Sequence, residues 1–299
     1  MEKAYPSYLN LSENQWLERL DKAYDMLKEC RVCPHRCGVN RLENQKGYCR
    51  TGKYAVVSSY FPHLGEERPI RGRRGSGTVF FSYCNLRCVY CQNYTISQLG
   101  EGEEMSSHEL AEVFLALQRL GCHNLNLVTP SHVVPQILHA LYLAVKKGFR
   151  LPVVYNTSSY DSLESLKLLD GIVDVYLADF KYGDDQKGKK YSKVKNYYQV
   201  ALEAIKEMHR QVGDLQTDKD GIAVRGVLTR HLVLPNKLAD THTVVQALKS
   251  ISPNMAINVM EQYRPYYKAY EYTELDRRIS YEEYREALNL ASGLRLVLD

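Results

Sequence analysis

Residues 78–93 read TVFFSYCNLRCVYCQN. Five of the first six are β-branched or aromatic, and the six read as a strand buried on both faces. Three cysteines follow at once, Cys84, Cys88 and Cys91, in a C-x3-C-x2-C spacing. Three thiolates can hold three irons of a [4Fe–4S] cube, which leaves the fourth iron without a protein ligand and open to reaction. A ferredoxin would carry a fourth cysteine nearby, and none is present here. The bland alternative is a zinc site or a buried turn.

Downstream, strands are expected at 124–129, 152–157, 173–180, 223–234 and 256–262. Helices are expected at 106–121, 133–147, 161–170, 190–211, 239–250 and 280–292. Six rounds of strand–helix alternation give a parallel sheet with right-handed crossovers. Periodicity alone leaves an open sheet and a barrel both standing. No glycine-rich fingerprint follows the first strand, which counts against a dinucleotide-binding open sheet. In a barrel, chemistry sits at the C-terminal ends of the strands. Residues 183–190, GDDQKGKK, read as a solvated loop.

Upstream, residues 7–29 read as a helix capped by Ser12, with Trp16, Leu20, Tyr24 and Leu27 at helical spacing. Residues 30–53 read as a loop holding a second group, Cys30, Cys33, Cys37 and Cys49. Four thiolates there can close a site, with zinc and a second iron–sulfur cluster both open. Residues 54–60 are β-prone, and the next stretch reads as a polar loop containing Glu66, Glu67, Arg68, Arg71, Arg73 and Arg74. That loop is expected to be solvated or to act as a lid over an acidic substrate.

The 299 residues carry 39 Lys plus Arg, 35 Asp plus Glu and a net charge of +4, too mild by itself to imply nucleic acid. No run of eighteen apolar residues occurs, so no membrane span is expected, and no apolar leader opens the chain. A reducing, cytoplasmic setting is expected, where clustered cysteines point to metal before disulfides. Cys122, alone, reads as a small buried hydrophobe. His231, inside an apolar strand, reads as a satisfied core histidine, and His132 as a helix N-terminal residue.

The cysteine spacing resembles the radical S-adenosylmethionine (SAM) superfamily. The stretches NLNLVTPSH, LPVVYNTSSYD, VDVYLADFKY, RHLVLP and NVMEQYRP are similar to the subgroup named for relatedness to pyruvate formate-lyase activating enzyme. The resemblance covers roughly residues 30–290. It implies a partial (β/α)6 TIM-like barrel of parallel strands at residues 76–299, with a C-terminal helical tail. An N-terminal helix and Cys-rich extension at 1–75 would precede it. It implies a [4Fe–4S] cluster on Cys84, Cys88 and Cys91, with SAM on the open iron, and Tyr90 beside the adenine. It makes Asn156, Thr157, Asp179 and Lys181 contacts of SAM or substrate, although Asn156 stands where activating enzymes have Asp. Thr129, Pro130, Ser131 and His132 replace the usual Gly-Gly-Glu, and Gln262 the usual His. The implied reaction is hydrogen abstraction by a 5′-deoxyadenosyl radical from a protein or peptide, with glycyl as the nearest guess. An electron donor such as flavodoxin or ferredoxin is the implied partner. The alternatives are an RNA-modifying radical SAM enzyme, which would use the Arg loop although nucleic acid is not the expected partner, and a non-catalytic iron–sulfur electron carrier.

Overall fold

Strand β2 (Ser76–Phe81) starts a parallel run whose members are short and apolar enough to be buried on both faces. It is followed by β4 (Leu125–Val128), β5 (Val153–Thr157), β6 (Val175–Asp179), β8 (Ala223–Leu232) and β9 (Ala256–Met260). Each pairs in parallel with the next. The structure, a computed structural model, describes residues 4–297, so the outermost residues of both expected units, 1–3 and 298–299, lie outside it. Helices cross between the strands: α3 (Ser107–Arg119), α4 (Val134–Lys146), α5 (Leu163–Leu168), α6 (Asp185–Ser192), α7 (Tyr197–Val212), α8 (Thr241–Ile251) and α9 (Tyr281–Ala291). Two-residue β10 (Arg295–Leu296) adds to β9 in parallel. Along the described sheet the order is β10-β9-β8-β6-β5-β4-β2, continued by β1 (Ala55–His63) and β3 (Glu103–Met105), with β7 (Gln216–Thr217) paired to β8 off this path. The path is open, so the expected (β/α)6 barrel is present and is partial.

Strand alternation separates two environments. Val154, Val175, Leu177, Leu228 and Ala256 face the lumen and meet Ile70. The intervening side chains join a larger outer core that runs from Tyr8 and Trp16 through Phe114 and Phe149 to Leu248. Each fully buried side chain of this kind contributes roughly 1.5–3 kcal/mol.

The N-terminal segment is built into that core. Its helix begins later than expected. A 3-10 turn covers Ser7–Asn10, then Ser12 caps α1 (Glu13–Lys28) with a full capping box. Trp16 is buried and its ring lies 6.0 Å from that of Tyr142 on α4. Strand β1 pairs antiparallel with β2, so the expected boundary at 75/76 falls inside one hairpin of one sheet.

Three expectations fail for tertiary reasons. The single helix at 190–211 is two helices, broken where Lys193 and Asn196 take left-handed φ of 60° and 53°. The break frees carbonyls that the cysteine loop needs: Arg87 N donates to Ser192 O and Val89 N to Tyr191 O, at 2.9 and 2.8 Å. The supposed loop 183–190 supplies the start of α6, with Asp184 as its N-cap. The stretch before β2 is also not a solvated loop. Short α2 (Arg68–Arg71) pushes Ile70 into the barrel floor, and Glu66 and Glu67 are buried beside it.

Two histidines brace the strand ends as expected of core residues. His231 Nδ1 donates to Phe180 O at 2.7 Å and its Nε2 meets Thr241 Oγ1 at 2.9 Å. His132 is fully buried rather than merely helix-terminal, its Nε2 donating to Ser82 O at 3.0 Å. Burial lowers His132 to about 3 and His231 to about 4. The unfolded chain therefore binds protons that the folded chain refuses below about pH 6.5. That stability is fully present above pH 6.5 and is lost as pH falls towards 4. Urea unfolding at pH 7.5 and pH 5 should show a loss of about 1–2 kcal/mol per histidine, smaller in a His132→Asn variant. A midpoint independent of pH in that window would refute the burial of both rings as neutral bases.

Candidate active site

Residues 82–93 leave the C-terminal end of β2 and turn sharply at Tyr83, whose φ is +63°. Asn85 is fully buried and anchors the turn by donating to Tyr160 O at 2.6 Å. Each of the three sulfurs then meets one N–H or O–H group. Leu86 N lies 3.3 Å from Cys84 Sγ, Ser192 Oγ 3.0 Å from Cys88 Sγ, and Ser97 Oγ 3.1 Å from Cys91 Sγ. As free thiols Cys84 and Cys88 are poor acids: burial pushes Cys88 up to about 11 even with the Lys181 ammonium nearby, and Cys84 higher still. Hydrogen-bond donors aimed at groups that burial keeps neutral suit sulfurs that bind metal, since coordination deprotonates a thiol outright. The donor set fits an iron–sulfur cluster.

Below the loop, the lumen holds a charged network. Lys181 Nζ lies 2.6 Å from Asp179 Oδ2, and Arg230 Nε 2.7 Å from Asp179 Oδ1. Arg230 donates also to Asn156 Oδ1 at 2.7 Å and meets Glu66 Oε2 at 3.4 Å. Side chains of Asp179 and Lys181 are 16% and 19% exposed, so this is not a surface pair. Burial pushes the Asp179 carboxyl up, but Arg230 and Lys181 outweigh it and hold it below its ordinary value. Glu66 accepts from Asn126 and Asn156, and Glu67 from Asn258, so the acidic pair plugs the lumen from beneath. Burial raises Glu67.

The structure therefore brings Asn156, Asp179 and Lys181 together, near Cys88. Thr157 faces the other side of β5, where its hydroxyl donates to Asp161 at 2.5 Å and meets Ser131 at 3.0 Å. Tyr90 is buried, and its hydroxyl lies 2.5 Å from that of Tyr182, which contacts Ser192 and through it Cys88. Gln262 lies past the end of β9 and is exposed. Cys122 is buried and belongs to neither cysteine group. Sequence reasoning missed Arg230, Glu66, Tyr182, Ser97 and Ser192. Only Arg230 carried a signal, a charge towards the C-terminal end of a strand, where barrel chemistry sits.

The second group lies beside the first. Cys30, Cys33 and Cys49 are buried and Cys37 is partly so. Cys49 and Cys84 line one cavity of about 310 Å³ together with Arg50, Arg87, Lys193 and Lys268. The Arg loop sits elsewhere. Arg71, Arg73 and Arg74 share a cleft with His123, Asp218 and Ile222, at the N-terminal ends of β4 and β8 and so at the far end of the barrel from the cysteines.

Comparison with known proteins agrees with this geometry. The profile of the radical SAM superfamily matches residues 78–223. The "uncharacterized protein MJ0674" of Methanocaldococcus jannaschii is 38% identical over 288 residues, covering 94% of this chain and 79% of that protein. The "uncharacterized protein MJ0808" of the same organism is 26% identical over 193 residues, covering 58% and 55%. Among solved structures, that of HydG, a maturase of the [FeFe]-hydrogenase, superposes with a TM-score of 0.50 at 12% identity, over 96% of this chain and 62% of that one, a likeness of fold.

Proposed function

Because this chain belongs to the radical SAM superfamily, we propose that its substrate is a protein or peptide segment, with a glycyl residue as hydrogen donor. Superfamily membership itself makes it an iron–sulfur, SAM-cleaving radical enzyme. When bound, the cluster on Cys84, Cys88 and Cys91 supplies the electron that splits SAM and yields a 5′-deoxyadenosyl radical. The chain's own residues bind and orient. Lys181 and Asp179 offer an ammonium and a carboxylate of fixed charge to the amino-acid end of SAM, and Asn156 offers an amide. Arg230 keeps Asp179 ionised and aligned. The buried Tyr90, Tyr182 and Tyr197 keep water from the inner side of the cysteine loop.

The observation that carries the substrate reading is an aromatic rim beside the cysteines. The segment after β9 crosses to the loop, where Lys268 N donates to Val89 O at 2.8 Å. There Tyr267 stacks on Tyr94 with ring centroids 4.7 Å apart, and Tyr266 and Tyr270 are 43% and 62% exposed. Exposed tyrosines suit a polypeptide partner. The cavity beside Cys84, lined by four cations and no carboxylate, favours an acidic electron donor of the flavodoxin or ferredoxin kind. The basic loop at the opposite end gives the RNA reading no support at the site.

Anaerobic protein with SAM and a chemical reductant should release 5′-deoxyadenosine slowly. Protein extract from the host should raise that release and leave a glycyl-type doublet in the electron paramagnetic resonance (EPR) spectrum. Stimulation by RNA and not by protein would overturn the proposal.

A further inference from the structure

The cysteines at 30–49 sit in a frame that serves no purpose for free thiols. The Val32 amide lies by the Cys30 sulfur and the His35 amide by the Cys33 sulfur, each two residues on. Gly47 leaves room for the Cys37 sulfur: a Cβ there would stand 2.3 Å from it. Cys33 lies within electrostatic range of Cys49, Cys30 and Cys37.

An independent observation says that the centre is anionic. Arg41 is 1% exposed, the most voluminous fully buried side chain. Its Nε donates to Gly52 O at 3.0 Å and one terminal nitrogen to His132 O at 2.7 Å, the same nitrogen lying 4.0 Å from Cys30 Sγ. The other terminal nitrogen has no partner. No carboxylate pairs with Arg41 among the described residues. A buried guanidinium without a counter-charge is strongly unfavourable. Four thiolates on a metal centre supply that charge.

The kind of metal follows from position. The quartet's segment meets the catalytic loop directly, His35 through Asn85 O and Tyr48 O through Arg87. A redox-active centre makes use of that contact, whereas zinc, which has no redox chemistry, would only pin the segment in place.

We propose that Cys30, Cys33, Cys37 and Cys49 hold a second [4Fe–4S] cluster, and that it passes electrons to the catalytic loop through the contact made by His35. The His35 ring stacks on Tyr48 at 3.6 Å and its Nε2 donates to Asn85 O at 2.7 Å. His35 is two residues from Cys33, and Asn85 is bonded to Cys84. Arg87 ties the same elements by donating to Tyr48 O at 2.9 Å, one residue from Cys49. One electron from a low-potential flavin or iron–sulfur protein reduces the second cluster. The same electron then reduces the catalytic cluster, returning the second to its oxidised form. It is consumed when the S–C5′ bond of SAM breaks into methionine and the 5′-deoxyadenosyl radical, and no proton moves in the relay.

The inference rests on the radical SAM reading of the trio, and the test separates the two. Iron, sulfide and zinc are counted in anaerobically reconstituted full-length protein, in Cys33→Ala/Cys49→Ala and in Cys84→Ala/Cys88→Ala/Cys91→Ala. About eight irons are expected in the parent and about four in each variant. The reduced trio-less variant should keep an iron–sulfur EPR signal. One zinc with four irons in the parent, or a trio-less variant without iron, overturns the second cluster even if the quartet variant fails to fold. Iron lost from neither protein when the trio is removed would instead sink the catalytic reading. For the relay, His35→Phe should keep the iron content and slow reduction of the catalytic cluster by reduced flavodoxin at least tenfold, read by freeze-quench EPR. An unchanged rate overturns the relay.

Discussion

Cys88→Ala should lose the catalytic cluster and bring 5′-deoxyadenosine release down to the rate of the buffer alone. Cys88 is the middle ligand of the trio. Its sulfur is held by Ser192 and lies closest to the Lys181 end of the lumen network. Two remaining sulfurs leave a cube with two unsupported irons. The expected loss therefore exceeds the roughly 10–100-fold that removal of an outer-sphere partner causes. Iron analysis and chromatographic assay of 5′-deoxyadenosine measure it, and Cys122→Ala, which changes a cysteine buried away from both groups, should retain the parent's iron. A Cys88→Ala protein that still cleaves SAM would show that the chemistry lies elsewhere.

What the sequence could tell about this site depended on how local each cause is. The trio was legible because its ligands lie within eight residues of chain and follow a strand. The six-strand alternation was legible because the strands are short and buried on both faces and some helices announce their own starts, as α3 does with the capping box at Ser106. The break at Lys193 was not legible. It exists because Arg87 and Val89, more than a hundred residues away, take the carbonyls of Ser192 and Tyr191. The lumen network was hidden for the same reason: Arg230 and Glu66 are 164 positions apart. Glu66 and Glu67 sit among arginines in a glycine-rich stretch, where composition says solvent. Only the barrel, by surrounding them with Asn126, Asn156, Asn258 and Arg230, makes a buried plug of them.

Arg230→Met tests that plug and carries the largest expected effect on stability. The guanidinium joins β8 to β6 through Asp179, to β5 through Asn156 and to the floor through Glu66. The side chains of Asp179 and Glu66 are 16% and 8% exposed. Methionine fills much of the same volume but leaves Glu66 without a cation and Asp179 with Lys181 alone. Breaking a buried pair in this way costs about 3–5 kcal/mol, which lowers Tm by about 10 °C in a chain of this size. The sign of the pH effect is definite. Asp179 is held below its ordinary value in the parent, so its contribution is full above the unfolded carboxylate pKa and disappears as pH falls through the folded one. The gap between parent and variant should therefore be widest at pH 7 and shrink on acidification as the stranded carboxyls protonate. Adding Glu66→Gln to the variant should return part of the loss by removing the unpaired charge, whereas Arg230→Lys should return less, because an ammonium cannot reach three partners at once. Differential scanning calorimetry of the four proteins at pH 7 and pH 5 decides it. A variant melting within 2 °C of the parent at both pH values would mean that the strands hold the lumen together without the ion network, and Lys181 would then owe its position beside Cys88 to packing alone.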